Sequence, residues 1–192
     1  MEAIFTSTTL VALAEMGDKT QLLAMLLATR FRKPVPIILG ILFATLANHF
    51  LAALVGHSIA GVLTQPWFRY AVAASFIGMA AWTLIPDKFD EDEPLKAPSG
   101  AGVFMTTLIA FFLVEMGDKT QVATVMLGAR FDNIFAVTAG TTLGMMIANV
   151  PAVLFGDVLA KKVPMRALQI GAALLFLGLG LWMIADLQGW IG

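Results

Sequence analysis

The sequence predicts an all-α integral membrane protein: six transmembrane helices arranged as a 3+3 inverted-topology repeat. Three observations predict it. The composition is 59% hydrophobic and only 13% charged, with a mean hydropathy of +0.86. A soluble domain carries about 25% charge, so this chain has too few polar groups to cover a surface facing water. Six apolar stretches approach or exceed the roughly 20 residues that a helix needs to cross a bilayer. A hexapeptide is repeated at an offset of one hundred residues, inside two of those stretches.

The spans fall at about 4–28, 35–61, 68–85, 103–129, 134–158 and 166–185, with breaks that are chemically marked. Arg30-Phe31-Arg32-Lys33-Pro34 ends the first, Gln65-Pro66 precedes the third, and Lys161-Lys162-Val163-Pro164 precedes the sixth. Proline lacks an N–H and clashes with the preceding turn, so it stops a helix. The chain opens Met-Glu, without a basic segment before the first apolar run. That run therefore reads as a span rather than a removable signal. Between the third and fourth spans, Asp87, Asp90, Glu91, Asp92 and Glu93 lie among prolines. Residues 87–100 read as a solvated acidic linker. It separates a first three-helix repeat, 1–86, from a second, 101–192.

The halves match along their whole length. At the same offset Arg30-Phe31 pairs with Arg130-Phe131, Gly40 with Gly140, Gly56 with Gly156, and Phe76, Gly78 and Trp82 with Phe176, Gly178 and Trp182. Such self-similarity signals duplication. Orientation follows from lysine and arginine in the loops. Loops one, three and five hold Arg30, Arg32, Lys33, Lys88, Lys96, Lys161, Lys162 and Arg166, against Arg69 and Arg130 on the other side. The odd loops are expected in the cytoplasm and both termini outside, in the periplasm. Three spans per half is an odd number, so the second half enters from the opposite side. That architecture is found in secondary transporters.

The repeated hexapeptide is Glu15-Met16-Gly17-Asp18-Lys19-Thr20, which returns as Glu115-Met116-Gly117-Asp118-Lys119-Thr120; Gln21 and Gln121 follow. Ionisable groups in hydrocarbon are expensive and mark functional sites. On a continuous helix Glu15 and Asp18 share a face, as do Glu115 and Asp118. Two such faces near the midplane offer up to eight carboxylate oxygens. Hard dications take six or more oxygens, and carboxylate, carbonyl and water suit Mn²⁺ as well. Gly17 and Gly117 permit local unwinding, which membrane depth tolerates where backbone lines a cavity. Lys19 and Lys119 are expected to pair with the acids of an empty site. Four carboxylates and two lysines sum to −2, which one bound dication would neutralise. Thr20, Thr120, Gln21 and Gln121 can hydrogen-bond these groups. Protons and metal would then compete for one set of oxygens, the simplest basis for antiport. A buried ion pair that merely locks helices is a weaker reading, since such pairs stabilise poorly.

Asn48, His49 and Asn149 lie near the middles of the second and fifth spans and are candidates to line a pathway; an interhelical hydrogen bond explains them equally well. His57 and Asp157 correspond nearer the span ends. Met145 and Met146 read as packing, and Gly171, Gly178 and Gly180 as close helix contacts. Zero cysteines exclude disulfides and thiolate metal sites. A net charge of −1 gives no basis for nucleic acid as a partner. No cofactor is expected; the ligands are the transported ion and protons, and the surroundings are lipid. One site fits a monomer, while the glycine-rich faces also allow a homodimer.

A doubled Glu-x-Gly-Asp-Lys-Thr in six spans with a polar central loop resembles uncharacterised protein family 0016, the Ca²⁺/Mn²⁺:H⁺ antiporter family. Both copies satisfy every position of the family pattern. The resemblance implies exchange of divalent cations, with Glu15, Asp18, Glu115 and Asp118 holding the ion. By analogy with bacterial members it implies Mn²⁺ export, with Ca²⁺ the alternative, across the inner membrane. An exporter of amino acids would want donors for a carboxylate, not four acids. An enzyme is not expected: there is no His-Glu-x-x-His, and glutamate replaces the first glycine of a Gly-x-Gly-Asp protease pattern.

Overall fold

A computed structural model describes residues 1–62, 66–85, 102–131, 133–162 and 165–190. The acidic stretch 87–100 and the Asp157 side chain lie outside the described residues. Eight helices make up the described chain: α1 (Glu2–Glu15), α2 (Lys19–Phe31), α3 (Pro34–Val62), α4 (Pro66–Thr83), α5 (Val103–Glu115), α6 (Lys119–Arg130), α7 (Ile134–Lys162) and α8 (Met165–Leu187). Among the described residues, three segments are long and apolar enough to cross a membrane alone: Pro34–Ile59, Ile134–Phe155 and Gln169–Leu187. Large apolar side chains such as Phe5, Phe43, Leu51, Phe135, Leu174 and Leu181 point outward, whereas Glu15, His49, Glu115 and Asn149 are buried. This inverts the usual arrangement of a soluble protein and fits a lipid surround.

The expected breaks at Pro34 and Pro66 hold. Arg32 turns the chain with a left-handed backbone (φ 52°), and Pro34 opens α3. Of the two readings of the hexapeptides, the local unwinding at Gly17 and Gly117 holds and the continuous helix does not. Each is broken at Met-Gly-Asp. Met16 (ψ 114°) and Asp18 (ψ 166°) are extended around Gly17 at φ 86°. Met116 (ψ 116°) and Asp118 (ψ 165°) repeat this around Gly117 at φ 80°. A Cβ added at Gly117 would meet nothing within 4 Å. The glycine is therefore required by its backbone angle and not by crowding.

The halves interlock. α1 and α2 of the first half pack on α7 of the second, α5 and α6 of the second pack on α3 of the first, and α3 and α7 meet each other. Equivalent glycines sit at equivalent contacts. A Cβ at Gly40 would lie 2.9 Å from the Phe104 carbonyl oxygen of α5, and one at Gly140 would lie 2.7 Å from the Ile4 carbonyl oxygen of α1. α4 pairs with α8, and there Phe76 meets its own counterpart Phe176 with ring centroids 6.3 Å apart. The expected close contacts of α8 are confined to Gly180, against the Ala73 carbonyl; Gly171 and Gly178 have no neighbour to crowd. Met145 is fully buried in the core, as packing requires.

The pair α4–α8 breaks the equivalence. It rests on α6 and α1, through α4 and α8 respectively, and makes no comparable contact with α2 or α5 among the described residues.

Candidate metal centre

The two helix breaks bring four helix ends near one another in the interior. Glu15 and Glu115 are the last residues of α1 and α5, and Asp18 and Asp118 are the first residues before α2 and α6. Relative exposures of 0%, 0%, 5% and 3% for Glu15, Glu115, Asp18 and Asp118 remove all four from water. An aspartate before a helix ordinarily turns back to accept from its first N–H groups. Neither Asp18 nor Asp118 makes that side-chain cap. Their carboxylates are directed inward instead.

Glu15, Asp18 and Asp118 each bring one carboxylate oxygen to within 4.8 Å of the others. Oxygen ligands of Ca²⁺ stand 2.3–2.6 Å from the ion. Two of them on opposite sides of one ion are therefore separated by about 4.6–5.2 Å. The three oxygens have the spacing of ligands to a single cation, and they come from both halves of the chain. The C-terminal ends of α1 and α5 bring partial negative charge to this place and the N-terminal ends of α2 and α6 partial positive charge, so the helix dipoles offset one another and the carboxylates carry the net charge.

The remaining residues of the motifs hold this arrangement. Gln21 Oε1 accepts from the Gly17 N–H at 2.9 Å, and Gln121 Oε1 accepts from the Gly117 N–H at 2.6 Å. Each glutamine thus satisfies a donor that the helix break exposes, a role different from the expected bond to carboxylate or lysine. Their amide groups reach across the halves: Gln21 Nε2 donates to the Ala148 carbonyl at 3.1 Å, and Gln121 Nε2 to Asn48 Oδ1 at 3.3 Å. Thr20 donates to Glu15, and Thr120 donates to Asp118 at 3.3 Å. Lys19 pairs with Asp118 of the opposite copy at 2.9 Å, an acid of the site as the sequence suggested. Lys119 donates to the Ile85 carbonyl, two residues past α4, at 2.7 Å, which ties the segment after α4 to the start of α6.

Glu115 stands outside the three-acid cluster, within electrostatic reach of Glu15 and Asp118. Asn48 Nδ2 donates to its Oε2 at 3.3 Å and to the Phe112 carbonyl at 3.0 Å; Thr45 donates to its Oε1 at 3.4 Å. His49 Nε2 lies 3.6 Å from Oε1. Asn149, the counterpart of His49, lies beside Glu15, and its amide nitrogen donates to the Met145 carbonyl at 3.1 Å. Thr45, on α3, contacts a motif acid and was not among the sequence candidates. It precedes Asn48 and His49 by one helical turn on the same face, and that spacing would have found it.

The description "Divalent cation/proton antiporter GDT1" matches residues 3–91 and 103–189. The "Putative manganese exporter" of Vibrio cholerae serotype O1 is 51% identical over 92% of this chain and 88% of its own length. "GDT1-like protein 3" of Oryza sativa subsp. japonica is 29% identical, and that of Arabidopsis thaliana 27% identical; each alignment covers 92% of this chain, and 71% and 68% of those proteins. No solved structure matches the chain significantly. The chain belongs to the divalent cation/proton antiporter GDT1 family: it is a membrane transporter, not an enzyme.

Proposed function

We propose that the protein exports Mn²⁺, and Ca²⁺ with lower preference, in exchange for protons. The ion is held by Glu15, Asp18 and Asp118, with Glu115 adjoining. The observation that carries this reading is the convergence of three buried carboxylate oxygens within 4.8 Å, drawn from both copies of the hexapeptide. The relative named for manganese export favours Mn²⁺ over Ca²⁺. Lys19 occupies Asp118 as a stand-in cation, and an arriving dication displaces it. When the dication leaves, protons and Lys19 neutralise the same oxygens.

The repeat supplies the transport cycle. α1 and α2 together make one span and α5 and α6 another. At 1.5 Å per residue the 14 residues of α1 rise about 21 Å, short of a hydrocarbon core of about 30 Å. With α3, α4, α7 and α8 this gives six spans as two inverted halves, in the inner membrane with both termini outside. In that topology α1 and α6 occupy the outer half of the membrane, and α2 and α5 the cytoplasmic half. The pair α4–α8 rests on α1 and α6, so the site is closed from outside and reached from the cytoplasm. Exchanging the roles of the two halves moves the pair onto α5 and α2 and opens the outer side, which is alternating access.

Mn²⁺ and Ca²⁺ flux into proteoliposomes tests this, with and without an imposed pH gradient. Flux is expected to follow the gradient with proton counterflow, and to fall at least tenfold in Asp18→Asn and in Asp118→Asn. Flux indifferent to pH would refute exchange; full flux in both variants would refute the site.

A further inference from the structure

The two glutamates of the repeat occupy equivalent places with one chemical difference. Opposite Glu15 stands Asn149, an amide; opposite Glu115 stands His49, an imidazole. The imidazole is 1% exposed, and neither of its ring nitrogens has a hydrogen-bond partner. Buried polar side chains nearly always have one. Nε2 points at Glu115 Oε1 from 3.6 Å, too far for a hydrogen bond. Two atoms that far apart suit a shared ion. At bond lengths of roughly 2.2 Å, between those of zinc–nitrogen and calcium–oxygen, they subtend about 110°. Asn48 holds the other carboxylate oxygen, Oε2, and Thr45 lies 3.4 Å from Oε1. The carboxylate is thus oriented with Oε1 toward the imidazole.

We propose that His49 and Glu115, with the Thr45 hydroxyl, form a second cation station beside the three-acid cluster, and that its nitrogen ligand selects a transition-metal dication over Ca²⁺ and Mg²⁺. This rests on the exchange function proposed above. Carboxylate and water ligands accept Mg²⁺, Ca²⁺ and Mn²⁺ alike, whereas imidazole suits first-row transition metals. A neutral imidazole binds metal through its free lone pair, and both nitrogens here are unengaged by hydrogen bonds. The three-acid cluster, all oxygen, gives affinity for dications in general. The nitrogen-bearing station discriminates among them.

The test uses the full chain, purified in detergent and titrated with two equivalents of Mn²⁺. Pulsed electron paramagnetic resonance is expected to show nitrogen-14 modulation on bound Mn²⁺, and His49→Asn, which copies the residue of the other half, is expected to abolish it. In the same variant the preference for Mn²⁺ over Ca²⁺ is expected to fall about tenfold, with Ca²⁺ binding unchanged; retained Ca²⁺ binding also reports an intact fold. Absence of nitrogen modulation in the wild type overturns the second station whatever the variant does, and so does an unchanged Mn²⁺/Ca²⁺ ratio in a folded His49→Asn. Failure of the wild type to bind either ion overturns the exchange function as well, which separates the two outcomes.

Discussion

At the scale of single residues, the site depends on two glycines as much as on its acids. Gly17 and Gly117 hold φ values of 86° and 80°, where an L side chain costs roughly 1–2 kcal/mol. Gly117→Ala has free space for its methyl, so its penalty is conformational alone. It is expected to lower the melting temperature of the detergent-solubilised protein and to weaken Mn²⁺ binding, because a break that relaxes toward helix turns Asp118 away from Glu15. Unchanged binding together with unchanged melting would show that the break tolerates a Cβ. The acids, glycines and threonines of this site were legible in the sequence because a polar hexapeptide in an apolar run is costly and occurs twice. The partnerships were less legible. Lys19 reaches Asp118 across the halves, and Thr45 approaches Glu115 from another helix. Such contacts depend on interhelical register, which hydropathy does not encode.

At the scale of elements, the half-helices are joined by glutamine. Each break leaves backbone donors that no longer bond within a helix. Gln21 and Gln121 answer the glycine N–H in both copies. The Gly117 N–H is exposed, so water replaces a lost partner there. Gln121→Leu also frees Asn48, which orients Glu115. Gln121→Leu is therefore expected to leave stability nearly unchanged and to slow Mn²⁺ flux several-fold; a variant of normal flux would contradict the role. Helix ends at Pro34 and Pro66 could be read directly, since proline acts locally. The division of two spans into α1–α2 and α5–α6 could not. Hydropathy averages over a window longer than the break, and glycine only permits unwinding. The Gln side chains and the facing helix make it favourable.

At the scale of the whole molecule, the hundred-residue repeat was legible as a sequence offset, and its paired residues sit at equivalent contacts: Gly40 on α5, Gly140 on α1, Phe76 on Phe176. What the offset could not convey is that the two halves adopt unequal arrangements, because one sequence symmetry is compatible with both. The lean of α4–α8 toward α1 and α6 makes a mechanical prediction. Val72 of α4 and Val122 of α6 line one cavity of about 240 Å³, and the natural chain has no cysteine. Joining Val72→Cys to Val122→Cys with a bifunctional thiol reagent is expected to stop flux while leaving Mn²⁺ binding intact. Full flux after cross-linking would show that α4 does not leave α6 during transport.

The central claim is that acids from opposite halves share one ion. Equilibrium binding of the first equivalent of Mn²⁺ to Glu15→Gln, Asp18→Asn and Asp118→Asn tests it most directly. Each single variant, from either copy of the hexapeptide, is predicted to weaken that same first equivalent by tenfold or more. Two independent sites, one lost with Asp18 and the other with Asp118, or undiminished binding in all three variants, would contradict it.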